Sequence, residues 1–159
     1  MPKLKLTPLV RNVAAWMGLA LSLTGCPFSG DCWGTADIAI TVAPQIDVPS
    51  SPRVIVAEVF RIQSGDVTST TADGLPMGPS AESPIEERAT YDVDTRTGAA
   101  RYEMTDPYPA WYYAFIDLNE NGHLDSGEPF GVDPHNPSTT GENGCGNYSG
   151  SIVIDKTLP

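Results

Sequence analysis

Trp111-Tyr112-Tyr113-Ala114-Phe115-Ile116 runs without a break into Asp117-Leu118-Asn119-Glu120-Asn121-Gly122-His123-Leu124-Asp125-Ser126-Gly127-Glu128, and Pro129 follows at once. In an extended chain Trp111, Tyr113 and Phe115 project to one side and Tyr112, Ala114 and Ile116 to the other, so the opening hexapeptide reads as a strand apolar on both faces. A strand, not a helix, therefore leads into the acidic loop. The proline behind the loop forbids an immediate helix on the far side as well. This excludes the paired helices of an EF-hand and points to a β protein with a long polar excursion at the end of its most aromatic strand.

The rest of the chain agrees. Trp33 to Val42 (WGTADIAITV) alternates, with Ala36, Ile38, Ile40 and Val42 on one face, which is the period of a half-buried strand. Arg53 to Ile62 (RVIVAEVFRI) places Val54, Val56, Phe60 and Ile62 on one face and Ile55, Ala57 and Val59 on the other, as in a central, fully covered strand. Glu58 interrupts the first face. It is expected at an edge or beside an arginine, with a buried carboxylate near a cation site as the alternative. Ala89–Asp94 and Ala99–Met104 read as hairpin arms around Thr95-Arg96-Thr97-Gly98, and Ser149–Asp155 as a last strand. Between them lie two long loops without apolar period, Ser64 to Glu87 and Gly127 to Tyr148, the first expected as a surface loop or partly mobile insertion. Thirty Gly and Pro residues in 159 argue against long helices. The expected fold is all-β, a single antiparallel β-sandwich with two long loops.

The segment Asp117 to Glu128 fits the calcium-loop pattern D-x-[DN]-x-[DN]-G-x₅-E throughout. Calcium takes six to eight hard oxygens, and a tight loop supplies them from alternating positions. Asp117, Asn119 and Asn121 occupy the first three of these. Gly122 permits the turn that brings in the backbone carbonyl of His123, whose imidazole is expected to point outward. Asp125 can ligate directly or through water, and Glu128 can offer both oxygens. Without the ion, Asp117, Glu120, Asp125 and Glu128 are expected to crowd and repel. A metal-free turn rich in Asn and Asp is the other reading of the same residues.

The N-terminus carries an address. Lys3, Lys5 and Arg11 precede an apolar run of 11 residues from Val13 to Leu23, too short for a spanning helix and right for a secretory signal. Leu23-Thr24-Gly25-Cys26 then resembles the lipobox of bacterial lipoproteins. That resemblance implies cleavage before Cys26, a lipid on its sulfur, and a mature chain held on a membrane outside the cytoplasm, in the cell envelope. Residues 1–25 are thus read as signal, 26–31 as a short tether and 32–159 as the domain. With Cys26 lipidated, Cys32 and Cys145 remain in an oxidising compartment and are expected to form a disulfide, with free thiols or a metal pair as the other possibilities.

The order aromatic strand, D-x-N-x-N-G-x-x-D-x-G-E-P, then Phe130-Gly131 is similar to the calcium loops of prealbumin-like and collagen-adhesin-B-type sandwiches of bacterial surface proteins. Tyr102-Glu103-Met104-Thr105-Asp106-Pro107-Tyr108-Pro109 looks like the strand end that precedes such a loop. The resemblance spans about Ala99 to Val132 and implies a Ca²⁺ loop that braces strands; an immunoglobulin-like sandwich is the alternative topology.

Charge and motifs bound the function. Without residues 1–25 the chain has 6 basic and 20 acidic side chains, a formal charge of −14, which disfavours nucleic acid as a partner. No HExxH, phosphate loop or CxxC occurs. Asp92 and Asp94 share a strand face, and Glu86-Glu87 lie in a loop; in so acidic a chain these read as solvated carboxylates and not as a glycosidase pair. The expectation is a monomeric, non-enzymatic envelope module. A carbohydrate- or peptide-binding module is the alternative, with Trp111, Tyr112, Tyr108 and Tyr148 as its surface and an envelope protein or glycan as ligand.

Overall fold

The computed structural model describes residues 34–60, 65–104, 109–138 and 146–159. Cys26, Cys32, Cys145, Tyr108 and the expected signal and tether lie outside the described residues. Among the described residues the strands run in chain order as β1 (Gly34–Val42), β2 (Arg53–Phe60), β3 (Ser69–Thr70), β4 (Pro76–Met77), β5 (Ile85–Arg88), β6 (Thr90–Asp92), β7 (Thr97–Met104), β8 (Ala110–Asp117), β9 (Pro129–Val132), β10 (Tyr148–Ile154) and β11 (Lys156–Thr157). A 3-10 turn, Pro79–Glu82, precedes β5.

Two sheets face each other, one ordered β10-β1-β7-β6 and the other β11-β9-β8-β2-β5. This is the all-β sandwich the sequence implies. Alternation decides what lies between them: Ala36, Ile38, Ile40 and Val42 of β1 meet Val54 and Val56 of β2 and Ala110, Tyr112, Ala114 and Ile116 of β8 in one buried cluster. Tyr102 closes it from β7, its hydroxyl donating to the Val56 carbonyl at 2.5 Å. Tyr102→Phe is expected to cost about 1–2 kcal/mol in urea unfolding, because the buried carbonyl loses its side-chain donor while packing is kept.

One pair departs from the antiparallel expectation. β10 runs parallel to β1, with Ile40 opposite Ile152 and Val42 opposite Ile154. The two strands come from opposite ends of the described chain, so the long connection that parallel pairing demands is available.

The apolar second faces of β2 and β8 have their explanation in the segment expected as a loose insertion. Ile55, Ala57, Val59, Trp111, Tyr113, Phe115 and Phe130 form a second buried cluster, and Val67, Leu75, Ala81, Leu124 and Leu158 pack on it. Residues 65–84 are therefore the lid of the outer face of the five-stranded sheet, pinned partly by the β3–β4 pair and by Lys156, which lies 3.6 Å from Asp73. Within the two expected loops lie β5, which pairs with β2, and β9, which pairs with β8.

Both sides of the sandwich are stitched by continuous chain. β5 belongs to one sheet and β6 to the other, with buried Ala89 between them, its N–H on the Val54 carbonyl at 2.9 Å. On the opposite side the chain leaves β10 and enters β11, Asp155 donating to Phe130 at 3.3 Å. Here Gly131 is pressed against β10 so closely that a Cβ would overlap the Val153 carbonyl. Chain that turns the corner leaves little free edge for another strand to join.

Candidate metal centre

The loop from Asp117 to Glu128 joins β8 to β9, so its two ends are anchored in neighbouring strands of the covered sheet. Its terminal carboxylates are both buried, Asp117 and Glu128 each 3 % exposed. Asp117 accepts the Asn121 N–H at 3.2 Å on Oδ1 and the Gly122 N–H at 2.9 Å on Oδ2. Glu128 accepts the Leu118 N–H at 2.8 Å on Oε1 and the Asp125 N–H at 3.0 Å on Oε2. Asp117 thus folds the first half of the loop, while Glu128 holds its own half and ties it back to the loop's start at Leu118. Glu120 and Gly122 lie at φ 61° and 87°, the left-handed geometry that the sharp turn requires and that glycine meets without strain.

Arg53 completes this end of the site, although its residue type gave no sign of it in the sequence. It opens β2 directly opposite Asp117. Its Nη1 lies 3.3 Å from Asp117 Oδ2 and donates to the Glu120 carbonyl at 2.9 Å. The register of β2 against β8 is the signal that would have found it, and register is a property of the pair, not of either sequence alone. On the other flank Gly127 N–H meets the Leu158 carbonyl at 2.8 Å, and Leu158 N–H the Glu128 carbonyl at 3.0 Å. His123 points outward as expected, its ring mostly exposed, with Nδ1 3.4 Å from Glu86 Oε1 on β5.

The middle of the loop is organised around Asp125. Asn119 Nδ2 donates to its Oδ2 at 2.8 Å and Asn121 Nδ2 to the same oxygen at 2.6 Å. These two amides, Asn119 first, hold the Asp125 carboxyl below its ordinary range. The amide oxygens serve the backbone, Asn119 accepting the Asn121 N–H and Asn121 the His123 N–H. The expected mutual repulsion is met, at Asp117, Asp125 and Glu128, by partners of their own: N–H groups, amides and one guanidinium. Among the described residues no three His, Cys, Asp or Glu side chains are gathered tightly enough to hold a metal ion.

The donor set is nevertheless all oxygen in kind: Asp117, Asn119, Asn121, the His123 carbonyl, Asp125 and Glu128, as hard cations require. Asn119 and Asn121 would have to turn their amide oxygens toward the ion in place of the amide nitrogens that now face Asp125. An amide offers both ends of that choice.

The other singled-out residues are placed elsewhere. Among the described residues Glu58 is neither at an edge nor paired with an arginine, and it is remote from the loop. It lies five residues along β2 from Arg53, about 17 Å at strand rise, buried between the sheets, where the Tyr112 hydroxyl donates to its Oε1. Burial pushes its carboxyl up to about 7, against the Tyr112 hydrogen bond, which lowers it. Asp92 caps the β6–β7 turn, taking the N–H groups of Asp94 and Thr95 at 2.9 and 3.1 Å. His135 is paired with the buried Asp133 at 3.3 Å, and Asp133 also takes the Tyr148 hydroxyl at 2.9 Å. Of the aromatic residues expected as a recognition surface, Tyr112 and Trp111 are buried and Tyr148 is half-buried, stacked on Tyr112 at 5.4 Å. They belong to the packing of the sandwich and do not form an open platform.

Comparison with family models, with curated proteins and with solved structures finds no match to this chain.

Proposed function

We propose that this chain is a non-enzymatic, lipid-anchored module of a bacterial cell envelope, a β-sandwich whose Asp117–Glu128 loop binds Ca²⁺ to brace the covered sheet. The anchor rests on the basic and apolar N-terminal run followed by Leu23-Thr24-Gly25-Cys26, and places the domain outside the cytoplasm, at the outer membrane or cell surface. The Cys32–Cys145 disulfide belongs to the same proposal.

The observation that carries the calcium reading is the pair of buried carboxylates at the two ends of a twelve-residue loop that matches the calcium pattern at every ligand position. An ion held by Asp117, Asn119, Asn121, the His123 carbonyl, Asp125 and Glu128 joins the exit of β8 to the entry of β9. Through Arg53, Glu86 and Leu158 it also steadies β2, β5 and the chain end. Modules outside the cell commonly bind calcium at about 10⁻⁴–10⁻³ M. At ten to a hundred times Kd such binding adds about 1.4–2.7 kcal/mol, or a midpoint rise from a few degrees to about ten.

The test is thermal unfolding of the chain from residue 27 onward, titrated with Ca²⁺ and with Mg²⁺ as control. Asp125→Asn combined with Glu128→Gln removes two charges while leaving acceptors for the loop N–H groups. A calcium-specific rise that this variant lacks is the expected result. No rise at millimolar Ca²⁺ in the native chain returns the loop to a metal-free turn rich in Asn and Asp.

A further inference from the structure

A cavity of about 300 Å³ lies where three parts of the molecule meet: the lid segment, the outer face of the five-stranded sheet and the outward side of the acidic loop. Its apolar wall comes from Leu75, Ala81, Leu124 and Leu158. Its polar groups are Glu82 and Glu86 from the lid side, His123 from the loop and Tyr113 from the floor. Among the described residues no Lys or Arg lines it.

Tyr113 is the telling residue. It is 8 % exposed, its ring is stacked against Phe115 at 6.2 Å, and its hydroxyl opens into the cavity, unlike that of Tyr91, which is the phenol sealed in without a partner among the described residues. A phenol at the floor of a pocket can accept from or donate to whatever fills it, water included. Burial first and the charge of Glu86 second push this hydroxyl up to about 12, so it stays a neutral phenol and Glu86 is close enough to be felt. Glu86 spends one oxygen on His123, 3.4 Å from its Oε1. Glu82, on the exposed rim, has no ion pair among the described residues.

An apolar pocket with two carboxylates at its rim and a phenol oxygen open to it from the floor is complementary to a positive donor on an apolar stem. The volume is at the small end for ligand sites, enough for a short alkyl chain and its head group. We infer that this cavity binds a primary alkylammonium group, its methylenes against Leu75, Leu124 and Leu158 and its N–H donors on Glu86, Glu82 and the Tyr113 oxygen. Phosphate, carboxylate and nucleotide ligands are disfavoured by the same carboxylates. The ammonium can belong to a lysine side chain of a neighbouring protein or to a free amine, and the chemistry at the pocket is shared. Calcium is not needed for the assignment, since the cavity exists with the loop in its hydrogen-bonded form.

The experiment is a ligand-detected NMR titration of the full chain in non-ionic detergent with pentylammonium and with N-acetyl-lysine N-methylamide. Pentanoate and pentan-1-ol serve as controls of equal length. Binding of an ammonium ligand and not of the controls is expected. Tyr113→Phe and Glu86→Gln should each weaken it about three- to tenfold, the worth of one hydrogen bond, charge-assisted in the second case. Glu103→Gln, which removes a charge from the exposed face of the other sheet, should leave it unchanged. Thermal midpoints of the variants separate a lost contact from a lost fold. Tighter binding of the lysine derivative assigns the pocket to a protein partner, and tighter binding of pentylammonium to a free amine. Equal binding of the controls, equal weakening by Glu103→Gln, or no binding of either ammonium overturns the inference.

Discussion

Because of Glu58 the sandwich is expected to lose about 3 kcal/mol of stability as pH rises from 4.5, the ordinary value of this carboxyl, through about 7, where burial pushes it in the folded chain. The sign follows from which state holds the proton. In the unfolded chain Glu58 ionises near 4.5 and is hydrated; between the two sheets burial keeps it protonated up to about 7. Over that window the folded state binds more protons, so each step up in pH favours unfolding, and the slope ends once both states are ionised. Glu58→Gln keeps the shape and an acceptor for the Tyr112 hydroxyl but cannot ionise. Urea unfolding of both proteins across pH should show no difference from this ionisation below 4.5 and a variant more stable by about 3 kcal/mol above 7. Taking the difference matters, because other titrating groups change in both proteins alike and cancel. Tyr112→Phe should extend the window upward, since the tyrosine hydrogen bond is what lowers the Glu58 value. A difference between the native protein and the Glu58→Gln variant that is flat in pH would show that water reaches the carboxylate.

Why a carboxylate occupies the core at all is a question the strand pattern raised and the pairing answers. Val54, Val56 and Glu58 share one face of β2, and the sequence offers no hint of what stands opposite. The structure puts Tyr112 there, directly across from Glu58 in the β2–β8 ladder. The same limit runs through the whole molecule. Ala36, Ile38, Ile40 and Val42 announced a buried face because a period of two is written within one strand. The two apolar faces of β8 announced burial on both sides in the same way. What covers the second face was not legible, since Val67, Leu75 and Ala81 are scattered through residues rich in Ser, Gly and Pro and acquire meaning only against Trp111 and Phe115. β5 was missed because Ile85-Glu86-Glu87-Arg88 has no alternation, and its charges suit a strand that closes a sheet. β9 was missed because Pro129-Phe130-Gly131-Val132 is short and carries the two residues strands avoid. The loop was the most legible part, as its ligand spacing is local. Arg53, Glu86 and Leu158, which fasten that loop to the rest, come from distant sequence and were not.

Removing the Asp117 carboxylate is expected to be the most damaging single change in the loop, about 3 kcal/mol in chelator-treated protein. Its side chain is wholly inaccessible, and alanine leaves the Gly122 N–H without an acceptor and the Asn121 N–H with Asn119 Oδ1 alone, in a turn where little water can follow. Each such orphan costs about 1–3 kcal/mol. Arg53 contributes less, because it is partly exposed and keeps the Glu120 carbonyl. Asp117→Asn separates bracing by hydrogen bonds from bracing by an ion. One amide oxygen still accepts a loop N–H, so the cost without calcium should fall to about 1–2 kcal/mol, while the lost charge removes most of the calcium-dependent gain. Arg53→Ala with Asp117→Ala should cost less than the sum of the single changes, since the two groups are in contact and the second loss finds no partner to strand. Urea unfolding with chelator and with millimolar Ca²⁺ reads the native protein, the three single variants and the double variant on one scale. If Asp117→Ala costs under about 1 kcal/mol with chelator, the carboxylate does not hold the apo loop together, and the strand ends are fixed by the β8–β9 ladder alone. If Asp117→Asn retains the full calcium gain, the ion is not bound at the first position of this loop. Stability without calcium and the gain with calcium are thus independent readings of one side chain, the first set by the N–H groups it accepts and the second by the charge it carries.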